Sequence, residues 1–329
     1  MRNLHSDFAG VFRTKHILNI PVLDCFALNF FIVQNHPDPE NTITRHTRMQ
    51  QDKADVSRES ATMTRITAPP APQINASEWF AHLRDGIVMC VMCRHTGRDF
   101  FPAGSERRIL DAGELNRYYK ISVPSKRLQF LLSRIIVKGI IAQLAVEVPP
   151  TNVSLEADAA GRLSSAGADM ERIHISISYT EGLVATAFAL AHVGIDVEKV
   201  RNAPAGTAQR FFTKREFAHL RNSEFADEEF FRIWTLKESY AKLTGGGIFD
   251  ALKNTECVIG ETIAVMDAHM GGKTDARYVV HRIGGTIMFA AASFDAKAVC
   301  VCETAAGSKD ECAPAVRLYF NPRDSRYSS

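Results

Sequence analysis

Residues 174–200 read His174-Ile175-Ser176-Ile177-Ser178-Tyr179-Thr180-Glu181-Gly182-Leu183-Val184-Ala185-Thr186-Ala187-Phe188-Ala189-Leu190-Ala191-His192-Val193-Gly194-Ile195-Asp196-Val197-Glu198-Lys199-Val200. Three strand signatures stand in a row. His174–Ser178 alternates polar and apolar residues with period two, as a half-buried strand does. Leu183–Leu190 is a mostly apolar run. Gly194–Val200 is a third strand, separated from the second only by Ala191-His192-Val193. The spacing predicts a meander of short antiparallel strands.

Helices flank it on both sides. Upstream, Ile87–Cys93 reads as a strand and Ser105 opens a helix towards Tyr118, with Glu106 in its first turn. Ser125 is the expected cap of a long helix. Its Leu128, Leu131, Leu132, Ile135, Ile136, Ile140 and Leu144 recur at three and four, which makes one buried face. Downstream, Thr213 and Glu216 form a capping-box pattern. A second long helix runs from about Asp227 to Thr244 and stops at Gly245-Gly246-Gly247. Strands are expected at Glu256–Ile259, Tyr278–Ile283, Thr286–Ser293 and Val299–Glu303, with Gly284-Gly285 as a hairpin turn. A long helix followed by antiparallel strands, twice over, predicts an α+β fold of two similar halves, each a helix packed on a small antiparallel sheet.

The bulk composition sets limits. The 329 residues are 46% hydrophobic and 23% charged, which excludes a globally disordered chain. A net charge of +2 lacks the asymmetry of a nucleic-acid binder, so an anionic ligand has to be held by local clusters. Ile17–Val33 is broken by Asn19, Pro21, Asp24 and Asn29 and reads neither as a membrane span nor as a signal peptide. Cys90 and Cys93, and Cys300 and Cys302, form pairs that could in principle hold zinc. Both pairs sit in apolar alternating runs, so they read as buried thiols in strands, suited to a reducing cytoplasm. Residues 1–75 differ from the rest. The polar run Gln34–Arg65 has no period and leads into the stiff Ala68-Pro69-Pro70-Ala71-Pro72. That stretch reads as a flexible extension and linker, with Met49 or Met63 as alternative starts. The expected divisions are then 76–192 and 193–310 for the two halves and 311–329 for a tail.

Two segments carry chemistry. In Gly194-Ile195-Asp196-Val197-Glu198, a strand places Asp196 and Glu198 on one face and turns Ile195 and Val197 into the core. Adjacent carboxylates repel unless a cation lies between them, and hard oxygen donors suit Mg²⁺. The plainer reading is a strand end with two solvated acids. In Trp234-Thr235-Leu236-Lys237-Glu238-Ser239-Tyr240-Ala241-Lys242, a helix aligns Trp234, Lys237, Glu238, Ala241 and Lys242 in one stripe. Its plainer reading is an exposed Glu238–Lys242 pair beside a core tryptophan.

Taken with Arg210-Phe211-Phe212-Thr213-Lys214-Arg215-Glu216 between them, the two segments resemble the Sfp-type 4′-phosphopantetheinyl transferase family. That family's pattern is an I-G-I-D-x-E strand, an F-F-x-x-x-E helix start and a W-x-x-K-E-S/A-x-x-K helix, and all three occur here in order. The resemblance covers roughly residues 100–300. It implies the pseudo-twofold fold of that family and transfer of phosphopantetheine from coenzyme A to a serine of an apo carrier protein, dependent on Mg²⁺. It implies Asp196, Glu198 and Glu238 around the metal, and Lys237, Lys242 and Arg162 as basic contacts for coenzyme A. Glu238 and then Glu216 are the candidate bases. Ser178 matches the serine of the family's S-H-S/T segment, but Tyr179 stands where the family has histidine, a residue that helps hold the ribose 3′-phosphate. Tyr179 offers one neutral hydrogen bond there, so a nearby Arg or Lys compensates or coenzyme A binds more weakly. Arg117, Lys120, Lys126 and Arg127 lie in a region where the family has phosphate-binding residues; Arg127 is the one carried forward.

The implied partner is an acyl or peptidyl carrier of fatty-acid, polyketide or nonribosomal-peptide synthesis, acidic around its serine. Arg201, Arg210, Lys214, Arg215 and Arg221, with Phe211, Phe212 and Phe217 among them, form a candidate docking surface. Their plainer reading is an ordinary charged helix with core phenylalanines. The resemblance further implies a cytoplasmic monomer that engages neither nucleic acid nor membrane. One rival is a non-catalytic protein of the same fold that binds coenzyme A or docks carriers. Another is a nucleotide-binding enzyme with Thr244–Ile248 as phosphate loop, but that run lacks the Lys-Ser/Thr ending and the preceding strand.

Overall fold

A computed structural model describes residues 75–96, 104–145, 149–166, 171–259, 263–305 and 315–320. The expected extension and proline-rich linker, residues 1–75, lie outside the described residues apart from Asn75, as does most of the tail. In chain order the elements are α1 (Ala76–Arg84), β1 (Ile87–Arg94), α2 (Ala112–Lys120), α3 (Pro124–Leu144), β2 (Ser154–Ala157), β3 (Leu163–Ala166), β4 (His174–Thr180), β5 (Leu183–Ala189) and β6 (Val193–Lys199). There follow α4 (Thr207–Phe211), α5 (Lys214–Arg221), α6 (Ala226–Thr244), α7 (Ile248–Asn254), β7 (Thr255–Ile259), β8 (Ile263–Asp267), β9 (Gly272–Lys273), β10 (Arg277–Ile283), β11 (Ile287–Ser293), β12 (Ala298–Ala305) and β13 (Ala315–Phe320).

The strands form one sheet in the order β13-β12-β1-β5-β4-β3-β2, a second in the order β10-β11-β6 and a small third in the order β7-β8-β9. The first two pack face to face. Val88, Cys90 and Met92 of β1, Ala185 and Ala187 of β5, Ile195 and Val197 of β6, and Phe289 of β11 share their interface. The long helix α3 covers the outer face of the first sheet through Leu132, Ile136 and Ile140, and α6 covers the outer face of the second through Phe231, Leu236 and Leu243. The order of layers is thus helix, sheet, sheet, helix. Strands β5 and β11 are buried along their whole length, because both of their faces are covered.

This α+β arrangement departs from the sequence expectation in three places. Strand β6 does not continue the β4–β5 meander; it crosses to the second sheet, where it pairs with β11 from Val193↔Ser293 to Lys199↔Ile287. The first sheet is neither small nor purely antiparallel. Strand β12 returns from the far end of the chain to lie parallel to β1, from Ile87↔Ala298 to Arg94↔Ala305. A cut between residues 192 and 193 would therefore sever one sheet. Within the expected tail, β13 adds a seventh strand beside β12.

Local chemistry accounts for the element ends. Helix α3 begins one residue before the expected cap, at Pro124, whose fixed φ and missing N–H suit the first turn. The upstream helix is split into a short 3₁₀ turn at Glu106–Arg108 and α2, which starts at an Asp111–Glu114 capping box. On the outer side of α3, Arg134 and Lys138 are buried and ion-paired to Glu114 of α2. Glycines Gly284 and Gly285 turn the β10–β11 hairpin with φ of 55° and 73°. Cys90 and Cys93 point to opposite faces of β1, one towards the second sheet and the other towards α3, so the two thiols cannot chelate one ion.

Two contacts tie β6 into place. Its outer edge carries backbone amides that no strand accepts. The hydroxyls of Ser176, Ser178 and Thr180 on β4 accept from Ile195 N, Val197 N and Lys199 N at 3.0, 3.2 and 3.0 Å. On its other side β6 lies against α6. A Cβ at Gly194 would stand 1.9 Å from the Ser239 carbonyl oxygen and 2.5 Å from Leu243 N, so only glycine allows this approach. Gly194→Ala should destabilise the protein by more than about 3 kcal/mol, the upper end of ordinary overpacking, because helix backbone cannot turn aside as a side chain can. Urea unfolding of the variant measures this; an unchanged midpoint would mean that β6 and α6 are further apart than described.

Candidate active site

Alternation along β6 puts Gly194, Asp196 and Glu198 on the face towards α6, and α6 presents Glu238 and Lys242 one turn apart. Asp196 is 3% exposed. Its Oδ1 accepts from Ser178 Oγ at 2.7 Å and from Lys242 Nζ at 2.8 Å. Its Oδ2 is buried with no hydrogen-bond partner among the described residues. Lys242 Nζ also donates to Ser178 Oγ at 3.1 Å and to the Ile195 carbonyl at 3.0 Å, and lies 3.9 Å from Glu238 Oε2. Glu198 meets Arg201 at 3.4 Å.

Electrostatics identifies this as a site short of positive charge. Burial raises the Glu238 carboxyl to about 7, and the Asp196 and Glu198 charges add to the shift. Burial and the charge of Asp196 likewise push Glu198 above the usual carboxylate range. Two acids raised by burial and by the charge of Asp196, with one Asp196 oxygen orphaned, fit a hard divalent cation such as Mg²⁺. Among the described residues no three His, Cys, Asp or Glu side chains are gathered closely enough to hold a metal ion as they stand. The acids are near enough to interact, with the charges of Lys242 and Arg201 set between them.

Beside the acids is an open cleft of about 390 Å³. Its walls include Glu238 and Lys242 of α6, Ser176 of β4, Val193 of β6, and Arg162 and Ala160 of the β2–β3 turn. Arg162 is fixed by Asp158 at 2.7 Å and donates to the Leu243 and Thr244 carbonyls at 3.2 Å, which caps the end of α6. Gly245 turns the chain away there with φ 74°; a Cβ on it would stand 2.3 Å from the Ala160 Cβ.

Four of the residues expected at the site are placed elsewhere. Lys237 is fully buried and gives its three protons to Glu216 at 2.9 Å, the Leu252 carbonyl at 3.1 Å and the Thr255 carbonyl at 2.7 Å. It has nothing left for a phosphate. Glu216 is 2% exposed and accepts from Lys237, Thr213 N and Cys257 N, so it cannot serve as a base for an incoming ligand. Tyr179 points to the opposite face of β4, where its hydroxyl meets Ser133 of α3 at 3.0 Å. Arg127 donates twice to the Ile121 carbonyl and lies over the Tyr118 ring. Ser178 does reach the site, but as a buried support for Asp196 and Lys242.

The expected docking surface is divided in the same way. Phe212 is core, stacked on Phe230 with ring centroids 5.2 Å apart. Phe211 lies under Arg210 and packs edge-on to Trp234. Phe249 of α7, not singled out in the sequence, is 67% exposed and 6.0 Å from Phe211. A phenylalanine two residues after a glycine run is the available signal.

Two measurements test these assignments. The folded protein holds a proton on Glu238 that the unfolded chain releases near 4.5, so in the presence of a chelator stability should fall as pH rises from about 4.5 to about 7. Glu238→Gln should remove most of that fall in urea midpoint; parallel pH profiles would show an ordinary carboxyl. Glu216→Gln should cost about 3–5 kcal/mol by leaving the Lys237 charge buried and unpaired. A stable variant with weakened coenzyme A binding alone would instead put the pair in the cleft.

The sequence comparisons converge on the same segments. Residues 192–285 match the model of the 4′-phosphopantetheinyl transferase superfamily. The 4′-phosphopantetheinyl transferase Sfp of Bacillus subtilis (strain 168) is 33% identical over 82 residues, 24% of this chain and 37% of the relative. The 4′-phosphopantetheinyl transferase psf-1 of Bacillus pumilus is 28% identical over 133 residues, 40% of this chain and 56% of the relative. The 4′-phosphopantetheinyl transferase HetI of Nostoc sp. is 33% identical over 147 residues, 42% of this chain and 61% of the relative. The chain thus spans between about a third and three fifths of the length of these relatives. The matched stretch holds both acid-bearing elements, β6 and α6, and over it the chain is similar to the 4′-phosphopantetheinyl transferase superfamily and to its Sfp-type members.

Proposed function

We propose that this protein transfers the 4′-phosphopantetheine group of coenzyme A to a serine of an apo carrier protein, with release of 3′,5′-ADP. The observation that carries the reading is that Lys242 of α6 binds Asp196 of β6 and stands 3.9 Å from Glu238, beside an open cleft and within electrostatic reach of Glu198. A finer assignment, as a holo-acyl-carrier-protein synthase acting in the cytoplasm as a monomer, belongs to the same proposal. In its support, both acid-bearing elements come from one chain, and Cys90, Cys93, Cys257, Cys300 and Cys302 are buried and in no disulfide among the described residues. Among the described residues no helix is long and apolar enough to cross a membrane. The α3 unit and the α6 unit would be the family's two pseudo-twofold halves, with the site on the second.

Coenzyme A brings a diphosphate and a ribose phosphate into a site that already contains three acids, so positive charge has to meet them there. Asp196, Glu198 and Glu238 would hold Mg²⁺, which when bound supplies charge neutralisation on the diphosphate. Lys242, kept in place by Asp196, Ser178 and the Ile195 carbonyl, adds a fixed cation at the same point. Arg162 supplies positive charge further along the cleft wall. Glu238 is the candidate to take the proton of the attacking serine, directly or through a water, in the arrangement in which Asp196 and Glu198 hold the cation and Glu238 is not bound to it. Attack on the phosphorus next to pantetheine then expels 3′,5′-ADP. The carrier would dock over Arg210, Phe211 and Phe249, at the side of the cleft where α7 begins.

Incubation with coenzyme A, Mg²⁺ and a panel of apo carriers, read by intact mass, should show one phosphopantetheine added per carrier. Asp196→Ala should abolish transfer with an unchanged far-UV spectrum, and Glu238→Gln should slow it by about 10²–10⁴-fold. Wild-type protein that binds coenzyme A but modifies no carrier would point to a binding protein of the same fold. Full activity of the Asp196 variant would remove the metal assignment.

A further inference from the structure

Trp234, Glu238 and Lys242 follow one another at intervals of four along α6 and so form one row. Glu238 stands between two donors of that row. Lys242 Nζ, one turn ahead, lies 3.9 Å from its Oε2. The indole N–H of Trp234, one turn behind, donates to the same carboxyl. That carboxyl needs holding. Asp196 and Glu198 both repel it, and burial disfavours its charge. A glutamate with three rotatable bonds would escape both by turning out to water, and fixing it also costs conformational entropy. Lys242 opposes the repulsion with its charge, but it is itself tied to Asp196, Ser178 and the Ile195 carbonyl. The indole opposes it with a directed bond.

The indole is held from two sides in its turn. Its ring stacks on Phe230, with centroids 5.8 Å apart and planes 18° from parallel. It meets Phe211 edge-on at 6.5 Å and 78°. Phe230 is buried and carries Phe212 on it, so the stack is anchored in the core. The plane of the indole, and with it the direction of the N–H, is therefore set by packing. An aromatic ring at position 234 is explained by these neighbours alone, and phenylalanine would fill much of the same space. Only tryptophan adds a donor, and an indole N–H has a single bond to give. Here it goes to Glu238, which lines the cleft.

We propose that Trp234 is a positioning residue, whose indole N–H holds the Glu238 carboxylate on the cleft side of α6 as the third acid of the cation site. The inference rests on the proposed reading in which Glu238 joins Asp196 and Glu198 around Mg²⁺. Trp234 acts through Glu238 alone. Without the N–H the glutamate swings towards water and two acids are left for the ion, while the aromatic stack of Phe211, Phe230 and the ring at 234 persists.

The test is a double-mutant cycle on Mg²⁺ binding, with Trp234→Phe and Glu238→Gln alone and combined. Mg²⁺ is titrated calorimetrically into the full chain at saturating coenzyme A and without a carrier, so that nothing turns over. Thermal midpoints check folding. Trp234→Phe should weaken Mg²⁺ binding by about tenfold, the equivalent of one hydrogen bond to a charged group. In the Glu238→Gln background the same substitution should change it by less than about twofold, because the group it acts through is gone. A tryptophan that only packs would leave Mg²⁺ affinity unchanged when replaced, or weaken it equally in both backgrounds; either result overturns the proposal. A spectroscopic readout needs no variant. Trp79 and Trp234 are the two tryptophans of the chain, and Trp79 is buried against Phe188 in the other core, so a Mg²⁺-dependent change in indole emission belongs to Trp234. Emission blind to bound Mg²⁺ would count against the indole–carboxylate bond and overturn the proposal even if Trp234→Phe does not fold. Unchanged Mg²⁺ affinity in Glu238→Gln itself would take Glu238 out of the cation site and the proposal with it, while the transferase reading stands on Asp196. A wild-type protein that binds neither coenzyme A nor Mg²⁺ would overturn both.

Discussion

The close approach of α6 to β6 is the constraint on which the site depends. Asp196 and Glu198 belong to a strand, and Glu238 and Lys242 to a helix that follows nearly thirty residues later in the chain. They can act on one ligand only if the two backbones nearly touch. Gly194 permits this on the strand side, and Ala290 and Ala292 of β11 extend the same shallow floor under the helix. Lys242 then spans the gap and binds a strand carboxylate and a strand carbonyl from the helix. The acids are thereby held in place at a cost in mutual repulsion, which shows in the raised affinity of Glu238 for a proton. Like charges kept together by the fold are a common way for a protein to store the attraction it later gives to a cation.

The second buried ion pair has a different purpose. Lys237 and Glu216 are among the most thoroughly enclosed charges in the protein, and each is fully satisfied. Glu216 closes the capping box of α5 and accepts from β7, while Lys237 reaches from α6 to the carbonyls at the α7–β7 junction. Four elements meet at this pair. Charges so enclosed add little net stability compared with a well-packed apolar core, but the removal of one partner is costly. The motif acids and amines of this chain thus divide into a set that supports the cleft and a set that faces it.

Period alone made part of this legible. Two-residue alternation put Asp196 and Glu198 on one face, and the structure keeps them there. The same rule separates Ser178 from Tyr179, so the tyrosine could have been assigned to the far face from the sequence. On a helix, a step of five residues turns about 140°, which sets Lys237 well away from Lys242, whereas Glu238 and Lys242 differ by only about 40°. A stripe drawn to include all of them was too wide. The parallel pairing of β1 with β12 was beyond reach, because both strands are apolar runs and nothing local in either selects a partner some two hundred residues away. The burial of Glu216 depends on β7 and α6 together and leaves no local mark either. The contact of Phe249 with Phe211 falls in the same class, the two being neighbours only after folding.

The row of hydroxyls along β4 has a consequence for how this protein can change in length. Ser176, Ser178 and Thr180 join two sheets through side chains, so the junction is counted in steps of two residues. One residue added within β4 before Ser176 would rotate all three oxygens towards α3 and leave three β6 amides without acceptors. A pair of residues would restore the facing and merely slide the row. In related chains, gaps and insertions in this strand should therefore come in even numbers, while the turns on either side of it are free to vary by one.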